Sequence, residues 1–262
     1  MAHFALLRQR IKVIQSIRKT TSAMRLIAMS LQSRLRKQQR IITAYNEGIV
    51  YVQKTYTVPG TSVVTEALQP HKTTIILVGS RKGLCGTFNE QLFNLFGREY
   101  VYNPDNQIIC VGTYAVNHIR SLQYPITHAF SELSITTFTQ IAHAITQLLI
   151  NTSITHIMVY SQHPRTLFIQ QPEVTSLTST PPLPNHDPII TTINRLQLQS
   201  SLLRILYNSL LAEQSARFLS MNSATQDAEE LLAHTKLEYN KVRQAYVTHE
   251  LIELTSAFAK TK

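Results

Sequence analysis

The sequence predicts two long terminal helices that pair as an antiparallel coiled coil, with a Rossmann-like, mainly parallel α/β domain between them. Residues 1–47 and 189–262 contain no glycine or proline, although the 262-residue chain has 7 Gly and 10 Pro. Apolar residues recur at helical spacing through both of these ends. The middle alternates short apolar strands with amphipathic helices, which is typical of a parallel sheet covered by helices.

The N-terminal segment carries a sustained heptad pattern. Two heptad positions form the predicted seam, and eleven of their fourteen residues are apolar: Leu7, Ile14, Thr21, Ala28, Leu35, Ile42 and Ile49, with Arg10, Ile17, Met24, Leu31, Gln38, Tyr45 and Val52 three residues later. Such a stripe packs along its length against another helix. At ~1.5 Å per residue, a helix over 3–54 is on the order of 75 Å long and has to protrude from a domain of this size.

The C-terminal segment is the natural partner of that helix. Its seam begins with Leu196, Leu203, Leu206 and Leu210 and continues from Met221 to Ala259. Thr235, Glu238 and His249 interrupt the seam, and burying them without hydrogen-bond partners is costly. We therefore expect the far end of this helix to face something other than the N-terminal helix.

The middle of the chain gives the remaining elements. Strands are predicted at 73–80, 107–113 and 156–162, helices at 86–100, 114–122 and 138–151, and an antiparallel edge strand at 166–170. The predicted boundaries are an N-terminal helix over 1–56, an α/β domain over 70–174, a Pro-rich linker over 175–188 and a C-terminal helix over 189–262.

The positive charge lies at one end of the chain. Of the formal net charge of +10, residues 1–47 contribute ten Lys or Arg against one acid, Glu47, while the rest is nearly neutral. Unrelieved like charge on one helix is unfavourable. The pattern therefore favours an acidic protein surface, a polyanion or an anionic membrane as partner.

Motifs for catalysis are missing. The turn GSRKGLCGTFN at 79–89 has the spacing of neither a dinucleotide fingerprint nor a phosphate loop, so we interpret it as a flexible strand-to-helix turn. The ten His show no metal-ligand spacing, and G-x-S-x-G is absent. Two lone cysteines suggest a reducing compartment. We expect no signal peptide, membrane-spanning segment, catalytic residue, metal site or cofactor.

Three segments carry more distinctive patterns. They are LRQRIKVIQSIRKTTSAMRLIAMS near the start, RKGLCGTFN in the middle and LLAEQSARFLSMNSATQDAEELLAHTKLEYNKVRQAYVTHELIEL towards the end. In this order, and over nearly the whole chain, they resemble the gamma subunit of F-type ATP synthases. Matching residues include Ile14, Lys19, Met24, Ala28, Gly83, Leu84, Cys85, Gly86, Asn89, Glu213, Arg217, Met221, Tyr239, Asn240, Lys241, Arg243, Gln244, Glu250 and Glu253.

The resemblance implies a central rotor shaft that has no catalytic residues of its own. Such a shaft couples ion flow, of protons or sodium ions, through a membrane rotor ring to ATP synthesis or hydrolysis in a head of alpha and beta subunits. It also implies an epsilon subunit beside the α/β domain, no nucleic-acid partner, and a peripheral position at the cytoplasmic face of a bacterial inner membrane.

The resemblance further implies two groups of contact residues. Acidic lever loops of the catalytic subunits would meet Arg18, Lys19, Met24, Arg25, Lys82 and Cys85. A catch loop of the head would meet Arg243, Gln244, His249, Glu250 and Glu253.

The chain departs from the family pattern at several positions. Arg81-Lys82 replaces an acid–arginine pair, His249 replaces the usual glutamine, and Phe258 lies near the tip, where small apolar residues are usual. These departures point to a divergent bacterial member.

Two other functions fit parts of the sequence. A basic coiled-coil nucleic-acid binder would account for the charge, but Phe4 and Tyr45 are the only aromatic residues among the first 47, which leaves little for base stacking. An α/β enzyme with helical arms is disfavoured by the missing phosphate-loop spacing.

Overall fold

The computed structural model describes residues 2–56, 73–151, 156–178 and 188–260. In chain order, their elements are α1 (Ala2–Tyr56), β1 (Thr73–Val78), α2 (Phe88–Glu99), β2 (Gln107–Val111), α3 (Thr113–Ser121), β3 (His128–Phe130), α4 (Phe138–Asn151), β4 (His156–Pro164), β5 (Gln170–Thr178) and α5 (Pro188–Lys260). Two compact units result, Met1–Ile27 with Ser220–Lys262, and Ala28–Leu219. Both long helices therefore contribute to both units.

The sheet of the Ala28–Leu219 unit has the order β3-β2-β1-β4-β5. β1 pairs in parallel with β2 and β4, β2 pairs in parallel with β3, and β5 runs antiparallel to β4. The central position of β1 agrees with its nearly continuous burial, which is expected of a strand covered on both faces. The predicted mainly parallel sheet with paired terminal helices is confirmed.

Side chains that alternate along the strands build two cores in this unit. Ile76 and Ile109 belong to a cluster that includes Leu35 of α1 and Leu206 of α5. Ile75 belongs to the other cluster, which is made with α2 and α3. The sheet is therefore covered by α2 and α3 on one face and by α4 with parts of the long helices on the other.

Two strands differ from the sequence prediction. The antiparallel edge strand was expected at 166–170, but it occupies Gln170–Thr178, and Phe168 and Ile169 are exposed in the preceding turn. The apolar run TLFIQ was misleading, since the true edge strand is polar and contains Pro172, which an edge strand tolerates. β3 was not predicted because three mostly exposed residues leave no alternation to detect.

The predicted linker also changes. Its first residues, 175–178, belong to β5, and its last residue, Pro188, begins α5, as proline often does at a first helical position. The rest of the predicted linker, 179–187, lies outside the described residues.

Within the Ala28–Leu219 unit, α1 and α5 pair through a ladder of polar side chains. Three residues of α1 that are one heptad apart contribute, and successive partners on α5 lie six to eight positions earlier in the chain. Gln39 donates to Asn208 (3.2 Å), Asn46 donates to Ser200 (2.9 Å) and lies 3.3 Å from Ser201, and Gln53 donates to Asn194 (3.1 Å). Ile42 and Ile49 of the predicted seam lie between these rungs and are partly buried, and Leu35, which precedes the first rung, is fully buried.

This ladder corrects half of the predicted seam. The interface uses residues four positions after Leu35, Ile42 and Ile49, whereas the prediction placed it three positions after them. Tyr45 and Val52 are consequently 53% and 41% exposed. The second heptad position of the interface is occupied by the polar residues Gln39, Asn46 and Gln53. It was not predicted from the sequence, because a heptad search looks for apolar residues.

In the unit formed by Met1–Ile27 and Ser220–Lys262, the same two helices pair around Ile14, Ala228 and Leu232. The hydroxyl of Thr225 lies 3.0 Å from that of Thr21. Thr235, which interrupts the predicted seam, is buried, and its hydroxyl donates to the carbonyl of Leu231. The helix's own backbone therefore satisfies this polar group.

Candidate partner-contact surfaces

α5 anchors the turn that links β1 to α2. The Arg217 guanidinium donates to the carbonyl oxygens of Lys82 (3.0 Å) and Gly83 (3.3 Å). It also forms an ion pair of 2.5 Å with Glu213, and the two side chains are only 12% and 5% exposed. Burial raises the pKa of Glu213, while the charge and hydrogen bonds of Arg217 oppose that rise. A nearly buried cation thus fixes the position of this turn.

In the anchored turn, Leu84 is exposed to solvent, whereas Cys85 of the same GLCG motif is buried. Leu84 has a φ of 63° and is 56% exposed, a backbone conformation that is unfavourable for a residue with a branched side chain. Cys85 is buried with Phe88 and Ala212, and this burial raises the pKa of its thiol. Of the two predicted contact residues in this turn, Lys82 is on the surface and Cys85 is in the packing.

The four predicted contact residues on α1 fall into two classes. Arg18 lies 3.8 Å from Glu229 of α5, and Arg25 donates to the side-chain carbonyl of Asn222 over 3.1 Å. Lys19 is exposed, and Met24 is 37% exposed. Arg18 and Arg25 therefore take part in the helix pair, whereas Lys19 and Met24 face solvent.

A basic groove lies along α1 in the Ala28–Leu219 unit. It has a volume of about 490 Å³ and is lined by Met29, Gln32, Ser33, Arg36, Lys37, Arg40, Leu167 and Phe218. Three cations beside three apolar side chains suit a segment that carries both acidic and apolar residues. Sequence reasoning assigned no contact here, although the run of bases from Arg34 to Arg40 was a usable signal.

The C-terminal part of α5 is exposed beyond Tyr239, whose ring stacks on Phe4 of α1 at 4.8 Å. The predicted catch-loop residues Arg243, Gln244, His249, Glu250 and Glu253 are all exposed. His249 lies 3.3 Å from Glu253 on the same helix. Tyr246, Val247, Leu251, Ile252 and Leu254 are also exposed, at 38–61%. At 100° per residue, these apolar side chains span more than half of the helix circumference.

Two further observations bear on chemistry. Among the described residues, no three His, Cys, Asp or Glu side chains come together in a way that could hold a metal ion. Within the same ranges, no helix is long and apolar enough to cross a bilayer.

No contact role was predicted from the sequence for Leu84, Glu213 or Arg217. Glu213 and Arg217 could have been recognised as a pair, because an acid and a base four residues apart on a helix commonly interact.

Two long terminal helices that pair with each other, together with an α/β domain inserted between them, define the fold class of this chain. The family model described as ATP synthase matches residues 4–259. The chain therefore belongs to the ATP synthase family, and the predicted resemblance is confirmed.

Relatives and solved structures agree with this assignment. The ATP synthase gamma chain of Azobacteroides pseudotrichonymphae is 24% identical, over 96% of both chains, and that of Clostridium pasteurianum is 28% identical, over 95% of both. The fold matches a chain of the Euglena gracilis mitochondrial ATP synthase OSCP/F1/c-ring structure with a TM-score of 0.78, at 12% identity over 99% of this chain and 95% of that one. A chain of the Tetrahymena thermophila central stalk and c-ring matches with a TM-score of 0.57, at 18% identity over 78% of this chain and 99% of that one.

Proposed function

We propose that this chain is the central rotor shaft of an F-type ATP synthase, coupling ion flow through a membrane rotor ring to ATP synthesis or hydrolysis in the head. The exposed end of α5 carries this proposal most directly. Its apolar side chains point in many directions around the helix, and a free helix in water gains nothing from such a surface. A ring of head subunits that encloses the helix would cover all of these side chains together.

Contacts with acidic lever loops of the catalytic subunits are proposed for the basic surfaces of α1. Lys19 and Met24 face solvent and are available for a direct contact. Arg18 and Arg25 are partly engaged with α5, so they contribute positive potential and support the helix pair. The groove containing Arg36, with its cations and apolar walls, is a second place where an acidic segment would bind.

At the turn after β1, we assign the partner contact to Lys82 and Leu84. Both side chains are exposed, and Arg217 holds the backbone that carries Lys82. Cys85 supports this contact by packing under the turn. The positive charge at Lys82 suits an acidic lever loop as well as the charge on α1 does.

The chain supplies torque transmission, and catalysis belongs to the head subunits with which it assembles. Alpha and beta subunits form that head, an epsilon subunit lies beside the α/β domain, and the rotor ring carries the ions. As a part of that complex the chain lies peripherally at the membrane, and we further propose the cytoplasmic face of a bacterial inner membrane, as the family resemblance implies.

Co-purification tests the proposed function against the nucleic-acid alternative. The gene for the full chain is tagged at its native locus, and the protein is isolated from detergent-solubilised membranes of that organism. The proposed function predicts recovery with alpha, beta and epsilon subunits and the rotor ring, with no tight, steeply salt-dependent binding of DNA or RNA by the purified chain. Recovery without head subunits, together with such nucleic-acid binding, would favour the alternative.

A further inference from the structure

A second cavity lies away from the surfaces described above, where β4 and β5 meet α5. Its volume is about 440 Å³, within the range of small-molecule sites. The charged and polar side chains that line it are His163, Arg165, Glu173, Thr175, Arg204 and Asn208, together with the buried hydroxyl of Ser161. All of these residues belong to the Ala28–Leu219 unit.

Two arginines, Arg165 and Arg204, give this cavity its positive charge. Within the described part of the chain, neither Arg165 nor Arg204 has a carboxylate within ion-pair distance. The Nε of Arg204 is buried and has no hydrogen-bond acceptor among those residues. The one acid of the lining, Glu173, lies instead 4.0 Å from Nδ1 of His163. A buried guanidinium donor without an acceptor costs free energy, and an anion bound to the other N–H groups of the same guanidinium would offset that cost electrostatically.

We propose that this cavity binds a phosphate group. Guanidinium groups match the geometry of phosphate oxygens and bind them in a bidentate manner, and the hydroxyls of Ser161 and Thr175 can donate to the remaining oxygens. The volume exceeds that of a single phosphate, so the group is either free inorganic phosphate or the terminal phosphate of a larger molecule such as a nucleotide. The inference does not depend on the proposed rotor function.

The sheet turn at 79–89 is a different location and takes no part in this site. Its backbone carbonyls at Lys82 and Gly83 face Arg217. The proposed site uses side chains from β4, β5, the turn after β4, and α5, and no glycine-rich loop. Sequence motifs for phosphate binding would not detect it, because Arg165 and Arg204 are far apart in the chain.

Direct binding measurements on the purified full chain test the proposal. Titrations with inorganic phosphate, pyrophosphate and ATP are made by isothermal calorimetry on the wild type and on Arg204→Gln, Arg165→Gln and Arg98→Gln. The last variant removes an exposed cation of α2 that belongs to none of the proposed contact surfaces, and it controls for nonspecific attraction of anions to a basic protein. Circular dichroism melting curves check that each variant is folded, and Arg165 is exposed, so its replacement leaves packing intact.

The proposal predicts saturable binding at one site of at least one of the three ligands. Binding should weaken by more than about tenfold in both Arg204→Gln and Arg165→Gln, and it should be unchanged in Arg98→Gln. Binding of inorganic phosphate alone identifies the free ion as the ligand, and binding of only pyrophosphate or ATP identifies a larger phosphorylated molecule. No saturable binding of any ligand, or equal weakening by Arg98→Gln, overturns the proposal.

Discussion

The side-chain amide of Asn46 on α1 donates a 2.9 Å hydrogen bond to the hydroxyl of Ser200 on α5, within the buried interface of the two helices. Gln39 with Asn208 and Gln53 with Asn194 repeat this arrangement one heptad away on either side. An apolar seam tolerates alternative alignments, whereas buried polar pairs select one alignment. The ladder therefore fixes the register of the two helices that transmit torque.

Replacing Asn46 by Ala is expected to destabilise the protein by about 1–2 kcal/mol, because its buried hydrogen bonds are lost. The cost stays moderate since the Ser200 hydroxyl keeps its own bond to the carbonyl of Gln197. Urea unfolding of the full chain measures the free energy of unfolding of each variant. Glu47→Gln, at the exposed neighbouring position, is the matched control and should change it by less than about 0.5 kcal/mol. Equal effects of both changes would show that the ladder contributes no stability.

Glu213 makes stability depend on pH. Burial raises the pKa of this carboxyl in the folded state, so the folded chain binds its proton more tightly than the unfolded chain does. The protonated Glu213 carboxyl therefore contributes to the free energy of unfolding at pH values below its ordinary pKa of 4.5. This contribution is lost as pH rises through the raised pKa of the folded state. The wild type should therefore lose stability relative to Glu213→Gln over that range, as measured by urea unfolding of both proteins at a series of pH values.

The contrary result for Glu213 is equally informative. A wild type that gains stability relative to Glu213→Gln as pH rises would mean that the Arg217 ion pair outweighs burial. The pKa of Glu213 would then be lowered in the folded state. Other titrating groups are shared by the two proteins and cancel in the comparison.

At the turn after β1, Leu84→Asp and Cys85→Ser separate surface contact from packing. Leu84→Asp places a negative charge where an acidic lever loop would bind, so ATP-driven ion pumping per ATP hydrolysed should fall by several-fold while the isolated chain keeps its stability. Cys85→Ser replaces a buried thiol that packs against Phe88 and Ala212, and because Ser80 and Asn89 offer hydrogen-bond partners at this position, it should lower stability by only about 1 kcal/mol. Normal pumping with Leu84→Asp would contradict the assignment of this contact.

Met24→Lys tests the lever contact on α1. Adding a charge to a partly exposed apolar residue should strengthen the attachment to an acidic loop and reduce coupling, measured as the ratio of ion pumping to ATP hydrolysis in membrane vesicles. Met24→Leu keeps the apolar surface and is the control, expected to leave that ratio unchanged. A wild-type ratio in Met24→Lys would remove Met24 from the contact.

Local patterns predicted much of the fold, and long-range polar contacts limited the rest. Strands such as 73–78 and helix α4 follow from hydrophobic periodicity, because burial on a sheet or helix face imposes that period. β5 was placed too early in the chain and the ladder residue Asn46 was missed, because polar residues occupy positions that only the partner element explains. The same holds for Arg217, since its role depends on backbone carbonyls more than 130 residues away.

The contact residues were predictable to a similar degree. The motif match directed attention to the turn at 82–86 but could not tell the exposed Leu84 from the buried Cys85, since both lie in the same run of residues. On α1, charge alone did not distinguish Lys19 from Arg18, which faces Glu229. Burial and pairing on the other helix decide these cases, and neither is visible in one segment of sequence.

Observation of rotation tests the central claim most directly. The head of the purified complex is fixed to a surface through its beta subunits, and a probe is attached to the exposed outer face of the α/β domain of this chain. On addition of ATP, the account predicts sustained rotation of the probe in one direction, stopping when ATP is removed. A complex that hydrolyses ATP while the probe stays fixed relative to the head would contradict the assignment of this chain as the rotor shaft.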